Sequence, residues 1–524
     1  MYNPILRGFH PDPTVVKVGQ DYYLATSTFE WYPGVMIYHS KDLVKWELVS
    51  RPLDRLSLLD IKGVPDSCGV WAPCLSHDGE LFHLVYSQVR SFDGVWKDTP
   101  NYLTTAEDIR GPWSEPVFLG SHGFDGSLFH DQDGSKWYLS MEVDHRKGKL
   151  FGGIILQQYS PEQKRLIGSL NRIFSGSDLG ITEGPHLYQK DGFYYLLLAE
   201  GGTEYGHAVS LARSTSRHGP YELSPIHPVL STANDPLHPL QKTGHADLIH
   251  LDGDRWAIFY LTGRPLSPRG RCPLGRETAM DLLEWPEGEW PQLISGTSLP
   301  RHELAEFEAH EASMMEEVDF SLQNLPSTYH SLRVPIEEGW CRIENQGLTL
   351  VGRESMSSTF EQSLLARRVQ SLDFEYQVQL TFEPTSYQQM AGLLCYYNTA
   401  HYFYLHILGD EDGTSCFLQL LRCDHYQIEE MLQDPIPIPH KGKKVYLKVV
   451  WQQAMATFYY AWDGGAWKQI PGVYDASILS DDYVREGSNR YRPAFTGAFV
   501  GIACQDLSGM GGEARFLKLV YSEQ

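Results

Sequence analysis

The sequence predicts an all-β protein, a five-bladed β-propeller followed by a C-terminal β-sandwich. Three observations carry that prediction. A strand–turn–strand unit recurs five times in roughly the first 300 residues, and four of the five turns are Asp-Gly. Beyond about Leu304 the unit disappears and plain period-two alternation replaces it.

The five copies read DPTVVKVGQDYYLAT from Asp12, WAPCLSHDGELFHLVYS from Trp71, DGSLFHDQDGSKWYLSME from Asp125, EGPHLYQKDGFYYLLLAE from Glu183 and HADLIHLDGDRWAIFYL from His245. Each joins a short strand to an apolar-aromatic strand. Asp78-Gly79, Asp133-Gly134, Asp191-Gly192 and Asp252-Gly253 supply the turns, and such dipeptides suit tight hairpins because those turns need positive φ. Successive copies begin 59, 54, 58 and 62 residues apart, a period that fits one four-stranded propeller blade with generous loops. The bulky pairs Tyr22-Tyr23, Leu81-Phe82 and Phe193-Tyr194 keep register within their copies. Coincidental hairpins in a long sandwich would not hold it.

The boundaries follow from the change of pattern. Residues 1–303 form the propeller. The acidic, turn-poor stretch HELAEFEAHEASMMEEVDF opens with a linker over 304–317. Residues 318–524 form the sandwich, from alternating strands such as FEYQVQLTF, AGLLCYYN, FYLHIL, VYLKVVW and ATFYYAW, with a turn at Asp463-Gly464.

Length and composition agree with two domains, since 524 residues exceed one ordinary core. The formal charge of −23 repels phosphate backbones and anionic membranes, so neither nucleic acid nor a membrane is an expected partner. No apolar run of about 18 residues is present to span a bilayer. The opening MYNPILRGFHPDP lacks a basic segment followed by an apolar one, which predicts a cytoplasmic protein. The eight cysteines carry no CxxC pair and are expected as thiols there. Aromatics reach 12%, enough for a β-rich core and for surfaces that stack on sugar rings.

The repeat also locates chemistry. The first strand of a propeller blade lines the central axis, so the residues opening the five copies, Asp12, Trp71, Asp125, Glu183 and His245, fall on one ring. Blade packing has no use for three carboxylates there. Crowded acids repel, and at least one should hold its proton at neutral pH. Glycosidic cleavage needs that combination: one protonated acid for the leaving oxygen and one ionised carboxylate to activate water or attack carbon. A third carboxylate tunes and orients the acid. Each residue alone has a structural reading: Asp12 lies in Pro-Asp-Pro, Asp125 precedes Gly, and Trp71 or His245 can be ordinary core. Their equivalence across copies outweighs it.

The motifs NPILRGFHPDP, STFEWYPG, PDSCGVWAP, GFDGSLFHDQDG, ITEGPHLY, GHADLIH, CPLGRET and AFTGAFVG resemble, in order, those of the β-xylosidases of glycoside hydrolase family 43, from Asn3 to about Leu517. The resemblance implies a catalytic propeller, an accessory sandwich and hydrolysis with inversion at the anomeric carbon. It implies that Asp12 is the general base, Glu183 the general acid, and Asp125 the residue that modulates and orients that acid. His245 and Arg276 would contact the innermost sugar, Phe29 and Trp71 would form its apolar wall, and Phe495 of the sandwich would reach back to close the pocket. A pocket closed in this way implies an exo-acting β-1,4-xylosidase that takes xylose from the non-reducing end of xylobiose and short xylo-oligosaccharides. Val143 departs from the pattern, standing where many relatives carry a Trp, and Cys68 and Cys74 replace a Gly and a His near WAP.

Two alternatives stay open: an α-L-arabinofuranosidase of the same clan, and a carbohydrate-binding propeller without turnover. The trio of acids speaks against the second. The chain has no HExxH, no Cys/His zinc spacing and no EF-hand loop, so no cofactor or metal is expected to be required. A structural calcium ion in the channel near His245 is the remaining option. The resemblance further implies a homo-oligomer, a dimer or tetramer, with a small oligosaccharide as the substrate.

Overall fold

The computed structural model describes residues 1–308, 314–322, 324–486 and 493–524. Five four-stranded antiparallel sheets follow one another along the first part of the chain. Their first strands are Thr14–Val18, Gly69–His77, Ser127–His130, Thr182–Lys190 and Gln241–Asp252. Each touches the next, and the fifth touches the first, so the ring closes as a five-bladed propeller.

Two devices close that ring. The N-terminal segment pairs with blade five before entering blade one: Leu6 bridges Thr278, and the Asn3 amide exchanges hydrogen bonds with Met280, donating to its carbonyl at 2.7 Å and accepting from its N–H at 3.0 Å. Asp247 of blade five accepts from the Thr14 hydroxyl at 2.8 Å, the Val15 amide at 2.9 Å and the Tyr188 hydroxyl, tying three blades at one buried carboxylate. Apolar side chains fill the spaces between blades. One cluster joins Val15, Leu24 and Met36 of blade one to Phe259, Met280 and Leu282 of blade five; another joins Val85 and Leu103 of blade two to Leu128 and Tyr138 of blade three.

The expected Asp-Gly turns are all at hairpin ends, but only Asp191-Gly192 is a two-residue turn with both residues at positive φ, 53° and 78°. Asp78-Gly79 and Asp133-Gly134 sit in longer loops, where the Asp side chain accepts backbone N–H groups two or three residues on.

The second compact unit comprises Lys62–Asp66, Arg271–Gly275 and Glu311–Gln524. Two large antiparallel sheets build a β-sandwich, with strands such as Asp373–Phe382 burying every second residue. The stretch expected as a linker is only partly one: Leu304 is buried in the propeller core, Met315–Asp319 already pairs with Glu513–Glu523 of the sandwich, and residues 309–313 lie outside the described residues. Short propeller-side segments also join the second unit, which local pattern could not reveal because a domain boundary is set by long-range contacts.

Candidate active site

Strand direction fixes where the chemistry lies. In each blade the start of the first strand, the end of the second and the start of the third share one edge, because neighbouring strands are antiparallel. Asp12 and Asp125 sit two residues before their strands, and both hold left-handed backbone, with φ 54° and 56°. His245 does the same inside its strand at 44°, within the register shift between Gly244 and Ala246. Blade four reaches a similar turn with Gly184 (φ 56°), and its ladder is interrupted between Glu183 and His186. Bulges and left-handed residues of this kind re-aim side chains at functional sites. They turn Asp12, Asp125, Glu183 and His245 toward one mouth.

The four meet there. Asp12 accepts from Ser27 Oγ at 2.5 Å and from Arg276 Nη1 at 3.4 Å. The Asp125 amide donates to Ser87 Oγ at 3.2 Å, and that hydroxyl is held by Asn101 Oδ1 at 2.7 Å. The Asp125 carboxylate accepts the Gly184 N–H and lies 3.9 Å from His245 Nδ1. A Cβ on Gly184 would come within 3.0 Å of the His245 ring, so glycine allows this approach. Thr182, one residue before Glu183, donates to Glu200 at 2.7 Å, and Glu200 also accepts from Ser177 and Ser210. That buried network fixes the strand from which Glu183 projects.

Burial and mutual repulsion set the protonation. The three acids are only 4%, 8% and 7% exposed for Asp12, Asp125 and Glu183. Burial, with the Asp12 charge adding to it and Arg276 opposing, pushes Glu183 up to about 7. Asp125 is also driven well above the usual carboxylate range, by burial first and then by Glu183 and Asp12. The cluster therefore retains a proton at neutral pH. Burial pushes His245 down to about 4, which leaves its imidazole neutral.

An aromatic wall stands beside the acids. Trp71 packs against Phe29, Phe92 and Phe124 at centroid distances of 6.0, 4.7 and 5.1 Å. The Arg276 guanidinium lies 5.2 Å from the Phe29 ring. Phe29 and Val70 exchange backbone hydrogen bonds, and a Cβ on Gly69 would meet the Phe29 carbonyl at 2.3 Å, so only glycine permits that contact. Phe495 belongs to the second unit, where it is buried under the Arg485 guanidinium at 5.2 Å.

Seven of the eight predicted site residues thus come together in the first unit. Sequence reasoning missed Ser27, Ser87, Asn101, Glu200, Phe92 and Phe124. Glu200 carried one usable signal, an acid closing the apolar run YYLLLAE.

Residues 1–291 match the family profile described as "Glycosyl hydrolases family 43", and residues 317–522 match "Beta xylosidase C-terminal Concanavalin A-like domain". The chain belongs to glycosyl hydrolase family 43. Among relatives, a "Beta-xylosidase" from Bacillus subtilis (strain 168) is 45% identical over 540 residues, covering 100% of this chain and 99% of its own. A "Xylosidase/arabinosidase 43B" from Humicola insolens is 45% identical over 526 residues, covering 99% of this chain and 97% of its own. A solved xylan β-1,4-xylosidase from Bacillus halodurans C-125 superposes with a TM-score of 0.94 at 45% identity, over 100% of both chains.

Proposed function

We propose that this family 43 enzyme is an exo-acting β-1,4-xylosidase that releases xylose from xylobiose and short xylo-oligosaccharides with inversion. The observation that carries the mechanism is the unequal environment of the acids: Glu183 is pushed up to about 7, while Asp12 is held by Ser27 and Arg276. Glu183 gives its proton to the glycosidic oxygen as the C1–O bond breaks. Asp12 takes a proton from a water whose oxygen bonds to C1 from the opposite face. Glu183 ends ionised and Asp12 protonated, and exchange with solvent resets both. Asp125 keeps Glu183 oriented and adds negative charge beside it. His245, neutral, and Arg276 hold sugar hydroxyls, while Phe29 and Trp71 cover an apolar ring face. Acid–base hydrolysis with this trio needs no Lewis acid, so activity should survive a chelator; loss restored by calcium would return the channel ion to the mechanism.

A second activity, on α-L-arabinofuranosides, is favoured by the name of the Humicola insolens relative. Nitrophenyl xyloside and nitrophenyl arabinofuranoside separate the two: a tenfold or greater preference for the arabinoside would overturn the xylosidase reading. Proton NMR of the first-formed sugar tests inversion, and retained anomeric configuration would refute it. We assign the protein to the cytoplasm, supported by eight cysteines that are all buried and outside disulfides. No helix among the described residues is long and apolar enough to cross a membrane. We also expect a homodimer or homotetramer, which sedimentation would test.

A further inference from the structure

Trp96 is 69% exposed, the most exposed of the chain's large aromatic side chains among the described residues. Exposure alone carries nothing, since single apolar residues on a surface are ordinary. Its position carries more. The loop that bears it leaves blade two at the end of the second strand, Phe82–Val89, and returns at the start of the third, Asn101–Ala106. By the antiparallel order of the blade, that is the edge where Trp71 and the acids lie.

The loop is held close to the site. Its neck is pinned by hydrogen bonds between Ser91 and Asp98. Phe92 packs on Trp71 at 4.7 Å, and the Lys97 ammonium folds back to 4.2 Å from the Phe92 ring and donates to the Gly94 carbonyl at 2.6 Å. Trp96 stands next to that clamped lysine. Its indole lies against His145 of blade three, with ring centroids 4.7 Å apart. His145 is anchored from the same edge, because the strand before it pairs with the segment leading into Asp125: the Met141 amide donates to the Phe124 carbonyl at 3.2 Å and the Val143 amide to the His122 carbonyl at 2.8 Å. Both partners therefore rise from residues flanking the Trp71–Phe124–Asp125 corner.

We propose that Trp96, supported by His145, is the stacking platform for the sugar on the leaving-group side of the bond being cut. This inference rests on the hydrolase reading above. A neutral pyranose presents a flat face of C–H groups, which suits an indole face that water otherwise covers. The site takes an uncharged sugar ring and leaves the acids to act one residue deeper.

The test compares two substrates that differ only in the leaving group: xylobiose, which loses a sugar, and methyl β-xyloside, which loses methanol and has nothing to stack. Trp96→Ala should lower the ratio of kcat/KM for xylobiose to that for methyl xyloside by roughly three- to tenfold. The change should fall mainly in KM, because a platform binds ground and transition states alike. Trp96→Phe should restore most of the ratio, and His145→Ala should give a smaller fall. An unchanged ratio in Trp96→Ala overturns the platform and leaves the hydrolase standing. A wild-type enzyme that releases xylose from neither substrate overturns both.

Discussion

In the sandwich, Arg333 donates to Asp66 at 2.8 Å and Arg367 to Glu316 at 2.6 Å, each a fully buried guanidinium facing one carboxylate. At the propeller mouth, Asp12, Asp125 and Glu183 share a buried space with Arg276, while His245 is held neutral. These two sandwich sites each balance a buried cation with one carboxylate, as a structural site must when ions leave water. The mouth leaves an excess of acid that only a retained proton can offset. Backbone geometry differs in parallel. The strand Asp373–Phe382 alternates in burial without a left-handed residue, its one register shift lying against Glu513–Glu523, whereas left-handed residues at the propeller mouth coincide with Asp12, Asp125 and His245 themselves. A fold spends regularity where it places chemistry.

The sharpest way to break this comparison is to remove one of the unbalanced acids. Asp12→Ala and Glu183→Ala should each lower turnover by about 10²- to 10⁴-fold, the range of acid–base catalysis. Neither should lower the melting temperature much, because each also relieves repulsion. Full activity in either variant would remove the roles assigned here. The sandwich should answer the opposite way. Arg367→Ala strips a guanidinium that also lies 3.8 Å from the Tyr521 ring, and should cost about 3 kcal/mol of stability. That is near the low end for a broken buried pair, because the Glu316 side chain keeps 23% of its exposure. Denaturant melts should show the loss while the rate per folded molecule stays near wild type; an unchanged midpoint would mean the pair is idle.

A smaller effect is expected at Ser27, which positions Asp12 through one hydrogen bond of 2.5 Å. Ser27→Ala should lower kcat/KM about tenfold, the worth of one hydrogen bond to a charged group, and Ser27→Thr should recover most of it. Equal loss in both variants would mean that packing around Ser27, not its hydroxyl, matters.

These residues also show what the sequence could and could not disclose. Asp12, Asp125 and Glu183 were legible because a rotational repeat turns equal offsets into one place. Ser27, Ser87 and Glu200 fall near the ends of their copies but differ in residue type from blade to blade, and Asn101 lies outside the repeated unit, so which of them bonds an acid or its neighbour emerges only from coordinates. Turns divide the same way. Asp191-Gly192 announced itself, yet the sandwich makes tight two-residue turns at Asn345-Gln346, His425-Tyr426 and Gln453-Ala454, all at positive φ without glycine. There the pairing of flanking strands overrides the local preference that makes Asn-Gly or Asp-Gly readable.

The finest test of the comparison is a titration. If Glu183 is the acid, activity needs it protonated, so kcat/KM should fall as pH rises through about 7. Arg276 lowers the affinity of Glu183 for its proton, and Asp12 raises it. Removing the cation by Arg276→Gln should therefore move the alkaline limb of the residual activity to higher pH. Removing the anion by Asp12→Asn should bring the Glu183 titration to lower pH, read by carbon NMR of labelled glutamate because little activity will remain. The two shifts must have opposite signs. Limbs that move together, or not at all, would mean that Glu183 does not take its protonation from the charges around it, and the contrast with the neutralised pairs of the sandwich would lose its electrostatic basis.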